Sequence, residues 1–329
     1  MVNIAINGFG RIGRLVLRIG MKEKKLNFVA INDLTDAKTL AHLLKYDSVH
    51  GTFDAKVEAG KDFIKINNKK ITVLCEKNHN KLPWKKFKVD IVVESTGIFR
   101  KEKDLKDHLK CGAKKVLLSA PAKEGNVKTV VLGSNDKDCK NVKYVSNASC
   151  TTNSLVPVVE VLDKEFGIES GFMSTIHSYT NDQRLLDLPH KDLRRGRAAP
   201  VNIIPTTTGA AKSVGDVLPH LKGRIDGLSF RVPVPCGSIT DLVCVVKKKV
   251  TVQKVNKAIK KASQTYLKGI LEYSEEPLVS RDIIGNKHSS IFDSQLTKVQ
   301  GKLVKVAAWY DNEYGYSARM VDMLKMMAK

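Results

Sequence analysis

The feature that most narrows the fold is a run of three glycines close to the start. Asn7-Gly8-Phe9-Gly10-Arg11-Ile12-Gly13 directly follows the apolar run Val2–Ile6 and opens the segment Arg11–Met21, with apolar residues at 12, 15, 16 and 19. The first run reads as a strand and the second has helical spacing. In that order each glycine has a mechanical reason. Gly8 makes the tight turn, Gly10 lets a pyrophosphate approach the backbone, and Gly13 lets helix and strand pack closely. Free N–H groups at the helix start then face the phosphates. A glycine triplet alone is weak. Its confirming feature is an acid about 20 residues further on, at the end of the second strand. Asp33 stands there, after Phe28–Asn32. Its carboxylate accepts hydrogen bonds from an adenosine ribose diol and repels a 2′-phosphate, which argues for NAD over NADP.

The chain has 329 residues, room for about two domains. Up to about residue 150, short apolar runs alternate with amphipathic stretches. Phe28–Ile31, Asp90–Val93, Val116–Leu118, Thr129–Leu132 and Tyr144–Val145 read as buried strands, and Thr39–Leu44 as a helix. This β-α-β rhythm predicts an α/β fold, a Rossmann-type, doubly wound parallel sheet. The second half changes character. Gly171–Ile176, Gly227–Val232, Ser238–Lys247 and Lys302–Trp309 are longer and rich in β-branched residues, and Val255–Tyr266 and Ser317–Met327 are helical in pattern. They predict an α+β domain on a mixed, mostly antiparallel sheet.

Residues of the AVILMFWYC set make up 42% of the chain and charged residues 27%, which excludes wholesale disorder. No apolar run reaches the roughly 18 residues of a membrane span. Met1-Val2-Asn3-Ile4 does not open like a secretory signal, and Met326–Lys329 is neither a peroxisomal nor an ER-retention address. The formal charge of +22 is compatible with a nucleic acid or anionic substrates. The lysines are scattered among acids, however, and aromatics are only 6%, too few for stacking platforms. Nucleic-acid binding is therefore not expected as the main function. The six cysteines show no C-x-x-C pair and the eight histidines no zinc spacing, so no metal site, reduced thiols and a cytoplasmic setting are expected.

One cysteine stands out. In Ser146-Asn147-Ala148-Ser149-Cys150-Thr151-Thr152-Asn153, small polar residues follow a short strand and precede the apolar run Leu155–Leu162. That is the profile of a helix N-terminus, where oriented N–H dipoles stabilise a thiolate. Ser149, Thr151 and Thr152 add donors suited to an oxyanion or phosphate. A thiol nucleophile also needs a base. His177 follows a predicted strand and precedes the polar run Ser178-Tyr179-Thr180-Asn181-Asp182, although spacing alone does not select it among the histidines.

These motifs, with Ser95-Thr96-Gly97, Ser119-Ala120-Pro121, Asn202-Ile203-Ile204-Pro205, Thr208-Gly209-Ala210-Ala211-Lys212 and Trp309-Tyr310-Asp311-Asn312-Glu313-Tyr314-Gly315, make essentially the whole chain resemble the phosphorylating glyceraldehyde-3-phosphate dehydrogenases. The resemblance implies an NAD-binding Rossmann domain over 1–149, completed by a C-terminal helix over 313–329, and a catalytic domain over 150–312. It implies Cys150 as nucleophile and His177 as base. It puts Ser149, Thr151, Thr180, Arg195, Thr208, Gly209 and Arg231 on the substrate phosphate or the attacking inorganic phosphate. It puts Gly8, Gly10, Arg11, Ile12, Gly13, Asp33, Lys77, Ser119, Asn312 and Tyr316 on NAD. The segment Asp182–Val201 resembles a loop that reaches a neighbouring subunit's cofactor site, which implies a homotetramer, and Leu188 and Pro189 resemble the NAD-using members. The implied reaction oxidises glyceraldehyde 3-phosphate to 1,3-bisphosphoglycerate through a thiohemiacetal and a thioacyl-enzyme. An erythrose-4-phosphate dehydrogenase of the same family is the alternative.

The chain also departs from the pattern. Ser154 stands where many members carry a second cysteine, and Lys77 where many carry arginine. Val232–Asp241 resembles a bacterial variant of its segment, and Cys236 within it reads as either a small buried residue or an oxidisable thiol.

Overall fold

The computed structural model describes residues 1–139 and 142–328. Its contacts fall into two compact units. One comprises Met1–Val130, Lys137–Ala148 and Ser317–Lys329, the other Val131–Asp136 and Ser149–Tyr316. Ser149 thus groups with Cys150, whereas the sequence reading divided them. Lys329, counted above in the last helix, lies outside the described residues.

In the first unit β1 (Val2–Asn7), α1 (Arg11–Gly20), β2 (Leu26–Asn32) and α2 (Ala37–Lys45) are followed by β3 (Val57–Ala59), β4 (Phe63–Ile66) and β5 (Lys69–Leu74). Then come β6 (Ile91–Glu94), α3 (Glu102–Lys110), β7 (Lys115–Leu118), β8 (Lys128–Thr129) and β9 (Tyr144–Ser146). They form one nine-stranded sheet in the order β3-β4-β5-β2-β1-β6-β7-β9-β8. From β5 to β8 every pairing is parallel. Ile4, Ile6, Val92 and Val93 are fully buried, as continuous apolar runs are in a sheet covered on both faces. The order reverses between β1 and β6, the point where doubly wound sheets open a crevice at their carboxyl ends.

The parallel sheet carries an added meander at one edge, where β3–β4 and β4–β5 pair antiparallel. Lysines and acids scattered through 56–70 hid this meander. The run Thr129–Leu132 is also shorter than expected, because only Lys128–Thr129 stays in the sheet.

The second unit opens with α4 (Cys150–Phe166) and β10 (Ile168–Ser178), then β11 (Ile204–Thr207), α5 (Ala210–Val217), β12 (Ile225–Val232) and β13 (Ser238–Val246). It continues through α6 (Val252–Gln264), β14 (Leu271–Ser274), β15 (Ser290–Gln300) and β16 (Leu303–Tyr310) into α7 (Tyr314–Met327). The seven strands lie in the order β11-β12-β10-β13-β16-β15-β14. The pairs β12–β10 and β15–β14 are parallel and the others antiparallel. Helices α4, α5 and α6 pack on this sheet. Along β10, Met173, Thr175 and His177 are buried while Phe172 is exposed, so the alternation carries His177 to the covered face. Within the first unit, the end of α7 is tied down by Lys325 on Glu23 at 3.2 Å and by Lys115 on the carbonyl of Met327 at 2.8 Å.

Candidate active site

The turn after β1 is built around missing side chains. Gly8 has φ +91°, and a Cβ on it would lie 2.6 Å from the backbone nitrogen of Thr96. A Cβ on Gly13 would lie 2.3 Å from the carbonyl oxygen of Gly8. Gly10 is the N-cap of α1, no side chain caps the helix there, and its first turn holds no acid. Nothing lies within 4 Å of where a Cβ of Gly10 would be. The helix start is therefore an open set of N–H donors, and these residues fit a dinucleotide's pyrophosphate.

Asp33 locks the turn to the end of β2, accepting from Phe9 N at 2.7 Å and from Leu34 N at 2.7 Å. A carboxylate has about four acceptor positions, which leaves it capacity for a ribose diol. Ile12 is half-buried in the first turn of α1. Ser119 directly follows β7, its N–H on the carbonyl of Glu94 at 2.9 Å, and Lys77 is exposed in the loop after β5. The structure thus brings Gly8, Gly10, Gly13 and Asp33 to one crest. Arg11, beside it, reaches Asp47 at 2.5 Å. Burial pushes the Asp47 carboxyl up, but Arg11 and the N–H groups of His50 and Val49 hold it down at about 2.

In the second unit Cys150 is the first residue of α4. Ser149 caps that helix, its Oγ accepting from Thr152 N at 3.0 Å and lying 2.7 Å from Thr152 Oγ1. The preceding Ala148 has φ +53°, a left-handed conformation that costs a non-glycine residue of order 1 kcal/mol and clusters at functional turns. Cys150 Sγ lies 3.5 Å from His177 Nε2. Thr151, expected on the phosphate side, turns its hydroxyl to Tyr310 Oη at 2.9 Å, which also meets Thr175 Oγ1 at 2.8 Å.

Strand register brings the next charge. β10 and β12 pair His177 with Arg231, and Arg231 Nη1 stands 2.7 Å from His177 Nδ1 and 3.0 Å from the Ser178 carbonyl. That carbonyl is also 2.7 Å from Nδ1. A guanidinium only donates. With Arg231 so placed, Nδ1 accepts and the ring proton sits on Nε2, toward the sulfur. With the proton on Nδ1 instead, donated to the Ser178 carbonyl, Nε2 would be the bare base.

Desolvation, reinforced by the charge of Arg231, pushes His177 down to about 3 against the pull of the Ser178 carbonyl. The imidazole is neutral at physiological pH, as a base must be. The expectation of a dipole-stabilised thiolate needs correction. Burial pushes the Cys150 thiol up, and Arg231, the Thr151 hydroxyl and the N–H groups of Thr151 and Cys150 only oppose that rise. Helix-start dipoles are legible in sequence, whereas the packing that desolvates the sulfur is not.

Arg195 donates to Asp182 at 2.5 Å and to Thr206 Oγ1 at 2.8 Å, and stands 3.5 Å from Asp192. Asp182 was not singled out. Burial raises its carboxyl, yet Arg195 holds it below the usual range. Thr208 Oγ1 accepts from Ala210 N at 3.2 Å at the start of α5, where Gly209 is the N-cap. Thr180 N donates to Gln183 Oε1 at 3.3 Å. Asn312 Oδ1 accepts from Ser178 Oγ at 2.8 Å, Ser238 Oγ at 3.0 Å and Gly237 N at 3.1 Å. Tyr316 is buried in the first turn of α7. Cys236 is buried and donates to Asp311 at 3.1 Å, and desolvation followed by the Asp311 charge drives its thiol far up. Tyr310 and Ser238 were also missed, though a buried tyrosine always wants a partner for its hydroxyl.

Dinucleotide-linked oxidoreductases that work through a cysteine are the class this fold and site define. The family model "Glyceraldehyde 3-phosphate dehydrogenase, NAD binding domain" matches residues 2–102, and the model for the C-terminal domain of the same enzymes matches 149–312. A glyceraldehyde-3-phosphate dehydrogenase of Thermotoga maritima is 58% identical over 333 residues, covering 100% of both chains. One of Geobacillus stearothermophilus is 57% identical over 330 residues, 99% of this chain and 98% of that one. The chain belongs to the glyceraldehyde 3-phosphate dehydrogenase family. Its cofactor is NAD.

Proposed function

We propose that the chain oxidises D-glyceraldehyde 3-phosphate to 1,3-bisphosphoglycerate with reduction of NAD. The observation that carries this is the 3.5 Å approach of Cys150 Sγ to His177 Nε2, with Arg231 bridging His177 and Ser178. Cys150 Sγ adds to the aldehyde carbon, and the thiol proton ends on the former carbonyl oxygen, giving a thiohemiacetal. His177 Nε2 then takes that hydroxyl proton while the carbon gives up hydride. NAD, held by the glycine turn and Asp33, supplies the hydride acceptor. The resulting thioester on Cys150 is attacked by inorganic phosphate, the C–S bond breaks, and the sulfur leaves as thiolate beside the helix start and Arg231. Arg231 and Thr180 take one phosphate, and Arg195, Ser149, Thr208 and Gly209 the other. Arg195 would exchange its contact with Asp182 for the anion. Arg11, Ile12, Lys77 and Ser119 would line the adenosine and pyrophosphate side, and Asn312 and Tyr316 the nicotinamide side.

The working form in this reading is a homotetramer in the cytoplasm. Leu185, Leu186, Leu188 and Leu193 are exposed in the loop after β10, and Phe172 and Leu228 lie exposed on β10 and β12. Large apolar side chains left in water are what a neighbouring copy would cover in this reading. Among the described residues no helix is long and apolar enough to cross a membrane. The test is NADH formation from glyceraldehyde 3-phosphate with and without inorganic phosphate, beside erythrose 4-phosphate. Phosphate-dependent turnover of the triose is expected. Turnover indifferent to phosphate, or faster on the tetrose, would favour an erythrose-4-phosphate dehydrogenase.

A further inference from the structure

Beneath the glycine turn runs a buried polar chain that no step of this chemistry uses. Glu94, at the end of β6, and His108, on α3, are both fully buried. The Glu94 carboxylate accepts from Asn7 Nδ2 at 2.6 Å, Thr96 N at 2.9 Å, Thr96 Oγ1 at 2.5 Å and His108 Nε2 at 3.1 Å. The tautomer of His108 follows from its other side, where Trp84 Nε1–H donates to Nδ1 at 3.0 Å. Nδ1 is an acceptor, so Nε2 carries the proton and donates to Glu94. Asn7, Thr96 and His108 are all neutral donors, and each bond to the carboxylate is charge-assisted, an arrangement that holds position firmly.

From Glu94 the chain runs upward to the turn. A carboxylate only accepts, so it compels Asn7 to present Nδ2 downward and Oδ1 sideways, and Oδ1 takes Asn32 Nδ2 at 2.8 Å. Asn32 Oδ1 takes Glu76 N at 2.9 Å. The backbone of Gly8 is then held from both sides. Its N–H donates to the Asn32 carbonyl at 2.8 Å, and its carbonyl takes the Ser95 hydroxyl at 2.6 Å. Asp33 follows Asn32 directly and takes Phe9 N. The ends of β1, β2 and β6, which carry the pyrophosphate turn and the ribose carboxylate, are thus oriented by one buried acid.

We propose that Glu94, backed by His108 and Trp84, is a positioning residue for NAD: it sets the peptide orientation of the Gly8 turn without touching the cofactor. This rests on the first unit being the NAD site. In Glu94→Gln an amide N–H2 replaces one carboxylate oxygen. Wherever it points, it faces a donor: Asn7 and His108 on one side, Thr96 on the other. Toward Asn7 and His108 it forces Asn7 to turn, and toward Thr96 it strips the acceptor from the Thr96 N–H against which Gly8 packs, so that the Gly8 peptide loosens in both cases.

The experiment measures NAD binding by calorimetry, kcat at saturating NAD, and the rate of iodoacetamide alkylation of Cys150. For E94Q the NAD Kd rises about tenfold, equivalent to about 1.4 kcal/mol, while kcat at saturation and alkylation stay within about twofold of wild type. Trp84→Phe, which leaves the carboxylate in place and frees His108 Nδ1, gives a smaller rise of the same kind and decides the matter if E94Q does not fold. Unchanged or tighter NAD binding, or a fall in kcat with Kd intact, overturns the proposal. A folded wild-type protein that binds no NAD would overturn the cofactor reading instead.

Discussion

Helices α1 and α4 each begin three residues after a strand, and their first turns are finished in opposite ways. α1 starts at Gly10 with no side-chain cap, with room over the turn. α4 starts at Ser149, whose hydroxyl accepts from Thr152 N, and puts a thiol on its first residue. Both ends carry the same partial positive charge. The first leaves its donors for an anion to satisfy. The second meets one of them, Thr152 N, with its own cap and uses the position to hold one reactive atom against an imidazole. A helix start is therefore a binding device or a chemical one according to whether its cap is missing or present.

The contrast breaks most visibly at Cys150. Cys150→Ser keeps the Ser149 cap and the Arg231–His177 contact but replaces the nucleophile with one far less reactive. Turnover should fall roughly 10³-fold or more, with the calorimetric NAD affinity within about twofold of wild type. Substantial residual NADH formation would remove the thiol from the mechanism. Weakened NAD binding would mean that the two helix starts are not independent.

His177→Asn removes the base and should lower kcat by about 10²–10⁴. It also carries a pH signature. The folded imidazole is pushed down to about 3 from an ordinary 6.5. Below about pH 6.5 the unfolded chain takes up a proton that the folded one refuses. Stability is thus unaffected by this group at neutral pH and falls on acidification, by up to about 1.4 kcal/mol per pH unit until about pH 3. The Asn variant lacks this term, so its Tm should drop less between pH 7 and pH 5. Parallel Tm–pH curves for the two proteins would show that the imidazole is not held neutral by burial.

The two helix starts also differ in how far the sequence revealed them. Gly8, Gly10, Gly13 and Asp33 are read from local order and spacing, because strand, turn and helix follow one another and the acid closes the next strand. Cys150 is legible as a helix start for the same reason. His177 and Arg231 are not, since they meet Cys150 through the sheet: β10 sets His177 on the face that α4 covers, and the β10–β12 register sets Arg231 beside it. Family resemblance supplied both where spacing could not. Glu94 was illegible for another reason. An acid at the end of an apolar run reads as the point where the strand meets water, and only the packed structure shows it fully buried. The antiparallel edge β3–β4–β5 was hidden by charges that keep its strands only half apolar.

On the open helix start the acid at β2 sets coenzyme choice. Asp33→Ala removes the ribose acceptor and frees Phe9 N, so the NAD Kd should rise about 10–100-fold. NADP, no longer facing a carboxylate, should lose less or gain. The ratio of the two affinities is the measurement, and an unaltered ratio would mean that Asp33 serves the turn alone.

The smallest effects test the contrast itself, by exchanging the caps. Gly10→Ser places a hydroxyl where nothing lies within 4 Å of a new Cβ and where φ is −72°, ordinary for serine. Ser can then bond the free N–H groups of α1, and by cap propensities the gain over Gly is a few tenths of a kcal/mol. Stability should be level or slightly raised, while NAD affinity falls several-fold because the hydroxyl occupies the donors the pyrophosphate needs. Ser149→Ala does the reverse in the second unit, losing about 1 kcal/mol of cap energy and leaving NAD affinity unchanged. If Gly10→Ser bound NAD as well as wild type, the missing cap of α1 would be incidental, and the helix start would not be the cofactor's anion site.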